Sequence, residues 1–257
     1  MDPKKPRRPH GAPARKGRRP ERSARREMHD PKTHRGEGST KQTPGPPLPP
    51  GWKEELRDTV RPGEREWATN TIAEALSAHL SEDFARTSEL AAKVKQEAPR
   101  SGRVRELLGL ALYREGKFAD ALRELMTYRR LTGRKDQNHL IVDCYRAVGR
   151  VEKALEIAGE VKEGEVEAEA WSELAIVSAA IMADQGDFEK ALARLARAVL
   201  RPAKVEPHHL RLWYARADLL ERAGRPEQAR KEWEAIIAED PDFFDAAERL
   251  EENRRMG

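Results

Sequence analysis

An all-α fold of stacked helix pairs is what this sequence predicts, and three observations carry the expectation. No alternating run of β-branched residues is long enough for a strand, and helix formers dominate from Trp52 onward. Beyond residue 50 the prolines are Pro62, Pro99, Pro202, Pro207, Pro226 and Pro241. They stand at joints between apolar-periodic segments, where proline ends a helix or occupies its first turn. The segments GLALYREGKFADAL (109–122), DCYRAVGRVEKAL (143–155), AIMADQGDFEKAL (180–192) and ARADLLERAGRPEQAR (215–230) also share one plan. Each ends a helix, places a glycine shortly before the next, and puts an alanine on the second helix's inner face. The shared Ala121, Ala154, Ala191 and Ala229 are spaced by 33, 37 and 38 residues, and Thr87 falls 34 before Ala121. A period of this size means a helix-pair solenoid.

Taken in order, residues 1–50 read as a disordered basic arm. They hold 14 Lys+Arg against 5 Asp+Glu, 11 of the 17 prolines and no aromatic residue, too little apolar surface to offset the entropy of ordering. Residues 51–257 hold 35 basic and 40 acidic residues, so the overall +4 combines an arm at +9 with a body at −5. Residues 51–67 read as a linker or short helix, with Trp52 placed directly after PGPPLPPG to tuck against the first helices and anchor the arm. The solenoid is expected over 68–257, as about five helix pairs and a C-terminal cap. The third of the four aligned copies has a long first helix over about 167–185. Phe243, Phe244, Ala247 and Leu250 share one face of the capping helix.

The best copy, 102–133, places Leu108, Gly109 and Leu112 on its first helix and Ala121, Leu125 and Tyr128 on its second. The next supplies Ile141, Val142 and Tyr145, then Ala154, Ala158 and Val161; the last supplies Trp213, Ala217 and Leu220, then Ala229, Trp233 and Ile236. Pro99 and Pro241 close the first and last copies. On these positions, over roughly residues 68–241, the chain resembles the tetratricopeptide repeat family. Its order of LPPGWKEELR, VRELLGLALYREG, LRELMTYRRLTG and DCYRAVGR is similar to bacterial members of about this length with an Arg-rich N-terminal arm, for which no reaction is assigned. Thr71, Glu74, Ala75 and Ala78 depart from the family's large apolar positions, so the first and third copies are expected to pack irregularly.

The resemblance implies a concave groove lined by the first helices. Its groove-facing offsets fall on Glu106, Leu110, Tyr113 and Arg114; His139, Asp143 and Arg146; Ile176 and Ala180; and Arg211, Tyr214, Asp218 and Arg222. A peptide or helix docked there would stack on Tyr113 and Tyr214 and meet Arg114, Arg146 and Arg211 with carboxylates, His139, Asp143 and Asp218 completing the candidate site. The family's chaperone-tail clamp is not expected, because Leu110 and Asp143 stand where it needs asparagines.

No chemistry-bearing motif is present: no GxxxxGKS/T, GxGxxG after a strand, HExxH, GxSxG or CxxC. The adjacent His208 and His209 diverge on a helix and lack a completing ligand, and Cys144 and His139 lie five apart on one helix, so packing is the simpler reading for each. The tryptophans Trp213 and Trp233 fall on core positions. The run 160–169 (EVKEGEVEAE) reads as a solvated turn. Neither a cofactor nor a metal is expected. No window approaches eighteen uncharged apolar residues and the N-terminus lacks a secretory apolar region, so a cytoplasmic protein off the membrane is expected.

Eleven Lys/Arg against three acids lie in the first 27 residues, among them Arg7, Arg8, Arg15, Lys16, Arg18, Arg19, Arg25 and Arg26. Eight excess charges on phosphates would lose roughly three to five decades of affinity between about 50 and 200 mM salt. Met28 follows at once, and a chain begun there would keep only 3 basic and 2 acidic groups up to residue 50. The expected function is a non-catalytic scaffold that binds a protein partner in its groove. The alternative is an RNA- or ribosome-associated factor whose arm is the main binder. Partner identity and oligomeric state stay open.

Overall fold

The computed structural model describes residues 47–198 and 202–256. The arm positions Arg7, Arg8, Arg15, Lys16, Arg18, Arg19, Arg25 and Arg26 lie outside the described residues. Among those described, every regular element is helical: twelve α-helices and one 3-10 turn, Pro62–Glu64. α1 (Trp52–Thr59) precedes five consecutive pairs: α2 (Arg65–Leu80) with α3 (Phe84–Glu97), α4 (Gly102–Arg114) with α5 (Phe118–Thr132), α6 (Asn138–Ala147) with α7 (Val151–Gly159), α8 (Ala168–Asp184) with α9 (Phe188–Leu195), and α10 (Pro207–Arg222) with α11 (Pro226–Glu239). α12 (Ala246–Met256) packs on α11 as the cap. The expected five pairs and cap are therefore present, but the cap starts after Phe243 and Phe244, Phe244 being exposed at φ +46°, and it buries Ala246 and Leu250 rather than Ala247. α8, at 17 residues, exceeds the first helices α2 and α10 by one.

One turn design joins all five pairs. Gly116, Gly149, Gly186 and Gly224 each stand just past a first helix with φ between +70° and +84°. The next residue's N–H reaches back five residues, as in Lys117 to the Leu112 carbonyl at 2.9 Å and Arg225 to Leu220 at 2.8 Å. This is the glycine-dependent closure that satisfies the orphan carbonyls of a helix end. The first pair makes the same bond, Asp83 to Ala78 at 2.9 Å, but puts Glu82 in the glycine slot at φ +58°. A side chain there costs about 1–2 kcal/mol.

Small residues set the distance between paired helices. Thr87, Ala121, Ala154, Ala191 and Ala229 are all fully buried. Opposite Ala121's helix, Gly109 sits where an added Cβ would lie 2.7 Å from both Cγ and Cδ2 of Leu125. In the first copy two buried threonines bond within their own helix turns: the Thr71 hydroxyl donates to the Trp67 carbonyl at 2.8 Å and Thr87 to Asp83 at 2.8 Å. The apolar core is in two parts. Trp52, Leu56 and Val60 of the α1 region join Ile72, Leu90, Val94, Leu107 and Leu108 in one cluster, with Leu48 against it, while Leu125 begins the other, which runs to Leu250. Near this division Glu124, buried on α5, accepts from Lys95 at 2.9 Å and Arg105 at 2.6 Å. Burial alone would raise its carboxyl pKa, but the two cations outweigh it and hold the group below the ordinary range.

Candidate partner-binding groove

The glycine turns bring the first helices side by side, α6 against α8 and α8 against α10. Residues at equal offsets in successive copies therefore face each other. Arg146 meets Asp184 at 3.3 Å and Arg222 meets the same carboxylate at 3.4 Å, each 38 residues away; Arg211 meets Glu173 at 2.7 Å over the same separation. The Tyr113 hydroxyl donates to Asp143 at 2.7 Å, and Asp143 also accepts from Arg146 at 2.9 Å. Asp218 lies 3.1 Å from Arg249 and 3.6 Å from Arg222. A string of alternating charge runs along this face from Tyr113 to the cap.

The sequence-derived residues divide accordingly. Tyr113, Arg114, His139 and Arg211 line one cavity of about 510 Å³, together with Asp136, Gln137, Leu140, Glu167, Glu169, Ala170, Glu173 and Val177. Asp143, Arg146 and Asp218 belong to the charge string. Tyr214 stands apart near the cap, edge-on to Trp233 at 5.0 Å, its hydroxyl donating to Asp245 at 2.6 Å. An adjoining cavity of about 340 Å³ shares Tyr113, Arg114 and Leu140 and adds His79, Leu80, Glu82, Phe84 and Leu110. Leu80 is 84% exposed at its rim, and the Arg114 guanidinium lies 4.9 Å over the Phe84 ring.

Burial governs the titration of this face. It pushes the Tyr113 hydroxyl well up, reinforced by the Asp143 hydrogen bond. It lowers His139, whose Nδ1 is 3.1 Å from the Asp136 carbonyl; that oxygen only accepts, so Nδ1 carries the proton and Nε2 is an acceptor. It raises the Glu106 and Glu173 carboxyls, the latter in spite of Arg211.

Glu173 and Asp184 escaped the sequence reading although the offsets used for Arg211 and Arg222, moved back one 38-residue period, land on them. Leu80 and Phe84 flank the one turn lacking glycine, which hid them. His208 and His209 stack at 3.9 Å, and His209 Nδ1 accepts the Glu206 N–H at 2.9 Å, a capping role at the start of α10. Among the described residues no group of three His, Cys, Asp or Glu could hold a metal. Cys144 is fully buried, its thiol pushed up to about 12 by burial and by Asp143. Trp52 is buried in the N-terminal cluster, Trp171 lies beneath Arg194 at 4.6 Å, and Trp233 is in the core, donating to Glu221 at 3.0 Å.

Residues 182–252, covering the end of α8 through most of α12, match the tetratricopeptide repeat family. The chain folds as a tetratricopeptide-repeat solenoid. The thermophilic tetratricopeptide-repeat protein TTC0263 of Thermus thermophilus superposes with a TM-score of 0.57 at 17% identity, over 72% of this chain and 98% of that one. The quorum sensor NprR from B. thuringiensis, in its apo form, does so with a TM-score of 0.61 at 12% identity, over 79% and 61%. Such identities show the fold alone. No curated protein matches in sequence. Among the described residues, no helix of this solenoid is long and apolar enough to cross a membrane.

Proposed function

We propose that the protein is a non-catalytic scaffold that binds a protein partner, as an extended segment or a helix, along the face of its first helices. The observation that carries this reading is the pair of adjoining cavities there, with Leu80 84% exposed and Phe84, Leu110 and Leu140 half-buried along their walls. Apolar pockets with a few convergent polar groups are where short partner segments find affinity and orientation. A cytoplasmic setting belongs to the same reading and rests on the single, buried thiol.

The test is a selection of random twelve-residue displayed peptides on the immobilised full chain. Clones should lose binding to Leu80→Glu, whose high exposure leaves the melting temperature unchanged. Clones bound equally by parent and variant, with none competing for this face, would overturn the reading.

A second reading, an RNA- or ribosome-associated factor with the arm as main binder, is favoured by the eleven Lys/Arg in the first 27 residues. Replacing them with glutamine in the full chain separates the two. Loss of all binding supports the arm; binding that persists, and survives high salt, supports the groove.

A further inference from the structure

We propose that the 510 Å³ cavity walled by α4, α6, α8 and α10 receives a lysine or arginine side chain of the partner. The inference rests on the groove reading and adds the sign of the charge recognised there.

Each of the cavity's cationic and amide donors already has a partner. Arg211 is bonded to Glu173 Oε2 at 2.7 Å, Arg114 lies over Phe84 and 3.8 Å from Glu82, and the Gln137 amide donates to Glu106 at 2.8 Å. Among the cavity's acceptors Asp136 is engaged by Tyr128 and Arg134, but three other carboxylates are not fully matched. Glu173, with a side chain only 12% exposed, keeps Oε1 out of solvent and bonded to nothing. A buried carboxylate oxygen left unmatched is costly, and a cationic donor toward which the Glu173 side chain turns removes the cost. Glu167 and Glu169 line the same cavity, exposed, and their carboxylates make no hydrogen bond or ion pair among the described residues. Glu169 further opposes ionisation of Glu173, so an added cation relieves both.

His139 contributes a second and independent feature. Burial favours its neutral ring, in which Nδ1 donates to the Asp136 carbonyl and Nε2 is left as an acceptor. The remaining wall, Leu140, Ala170 and Val177, is apolar and matches the methylene stem that a lysine or arginine buries behind its charged head. The neighbouring cavity around Phe84 and Leu110 shares Tyr113, Arg114 and Leu140 with this one. The occupant is thus a basic segment carrying an apolar residue beside its Lys or Arg, the reverse of the carboxylate-bearing partner that Arg114, Arg146 and Arg211 suggest when read as unpaired.

The peptides selected on the full chain supply the probe, with Glu173→Gln, Glu169→Gln and Glu169→Lys as variants, each checked for an unchanged helical spectrum and melting temperature. Glu169 is exposed, so its two variants keep the test open if Glu173→Gln folds poorly. Clones that depend on Leu80 should be enriched in Lys or Arg beside an apolar residue. They should weaken about tenfold or more on loss of the carboxylates, and Glu169→Lys should shift selection toward acidic peptides. Clones that depend on Leu80 yet are acidic, or bind all carboxylate variants as they bind the parent, would overturn the charge assignment and leave the groove intact. Absence of any clone sensitive to Leu80→Glu would overturn both.

Discussion

Replacing Gly109 by alanine sets helix propensity against packing. An interior glycine costs a helix about 0.5–1 kcal/mol relative to alanine, so propensity alone predicts a gain. Packing opposes it. The new Cβ would lie 2.7 Å from both Cγ and Cδ2 of Leu125, itself fully buried, and 3.4 Å from the Leu125 backbone nitrogen. Two side-chain carbons and a helix backbone must yield together. That places the overpacking cost toward the upper part of the usual range of about 1–3 kcal/mol, for a net loss of roughly 1–2 kcal/mol. Urea unfolding followed by far-UV circular dichroism should give a lower midpoint with the slope unchanged. In a Leu125→Ala background, itself costing about 2–5 kcal/mol, the clash disappears and Gly109→Ala should become neutral or stabilising. Equal effects in both backgrounds, or a single variant as stable as the parent, would refute the claim that this contact sets the spacing of α4 and α5.

Other outcomes follow from single features. Glu82→Gly should raise stability by about 1 kcal/mol by releasing a left-handed residue, measurable by the same unfolding curve; a loss would mean that the Glu82 side chain outweighs the strain. Glu124→Ala leaves Lys95 and Arg105 without their buried counter-charge and should cost about 3–5 kcal/mol, whereas an effect below about 1 kcal/mol would place the pair in effectively aqueous surroundings. His79, His139 and His209 all have folded pKa values below the usual 6.5, chiefly through burial. The unfolded chain then takes up protons first, so stability is full above 6.5 and lost as pH falls through the folded values; a melting temperature unchanged or higher at about pH 6 than at about pH 7.5 would contradict this. Cys144, buried with its thiol at about 12, should resist a thiol reagent at about pH 8 until the chain is unfolded, and prompt reaction in the folded state would show an open route to α6.

The sequence revealed the fold readily because its determinants are local. The left-handed glycines at 116, 149, 186 and 224 and the buried alanines at 121, 154, 191 and 229 each act within one helix pair, so they recur at a visible period. The groove was less legible because its charges are satisfied between pairs. Arg146 and Arg211 read as free cations until Asp184 and Glu173 are brought to them from the long α8. Tyr214 likewise read as stacking area for a partner, but it is edge-packed on Trp233 and bonded to Asp245 from beyond α11. Leu80, Phe84 and the unmatched Glu173 oxygen gain meaning only once neighbouring helices define a cavity around them.

The claim that the first-helix face is the binding face is tested most directly by amide hydrogen exchange on the full chain, with and without a selected peptide. New protection should map to α4, α6 and α8 around Tyr113, Leu140 and Val177. Protection confined to the second helices α5, α7 and α9, with the first helices unchanged, would contradict the account.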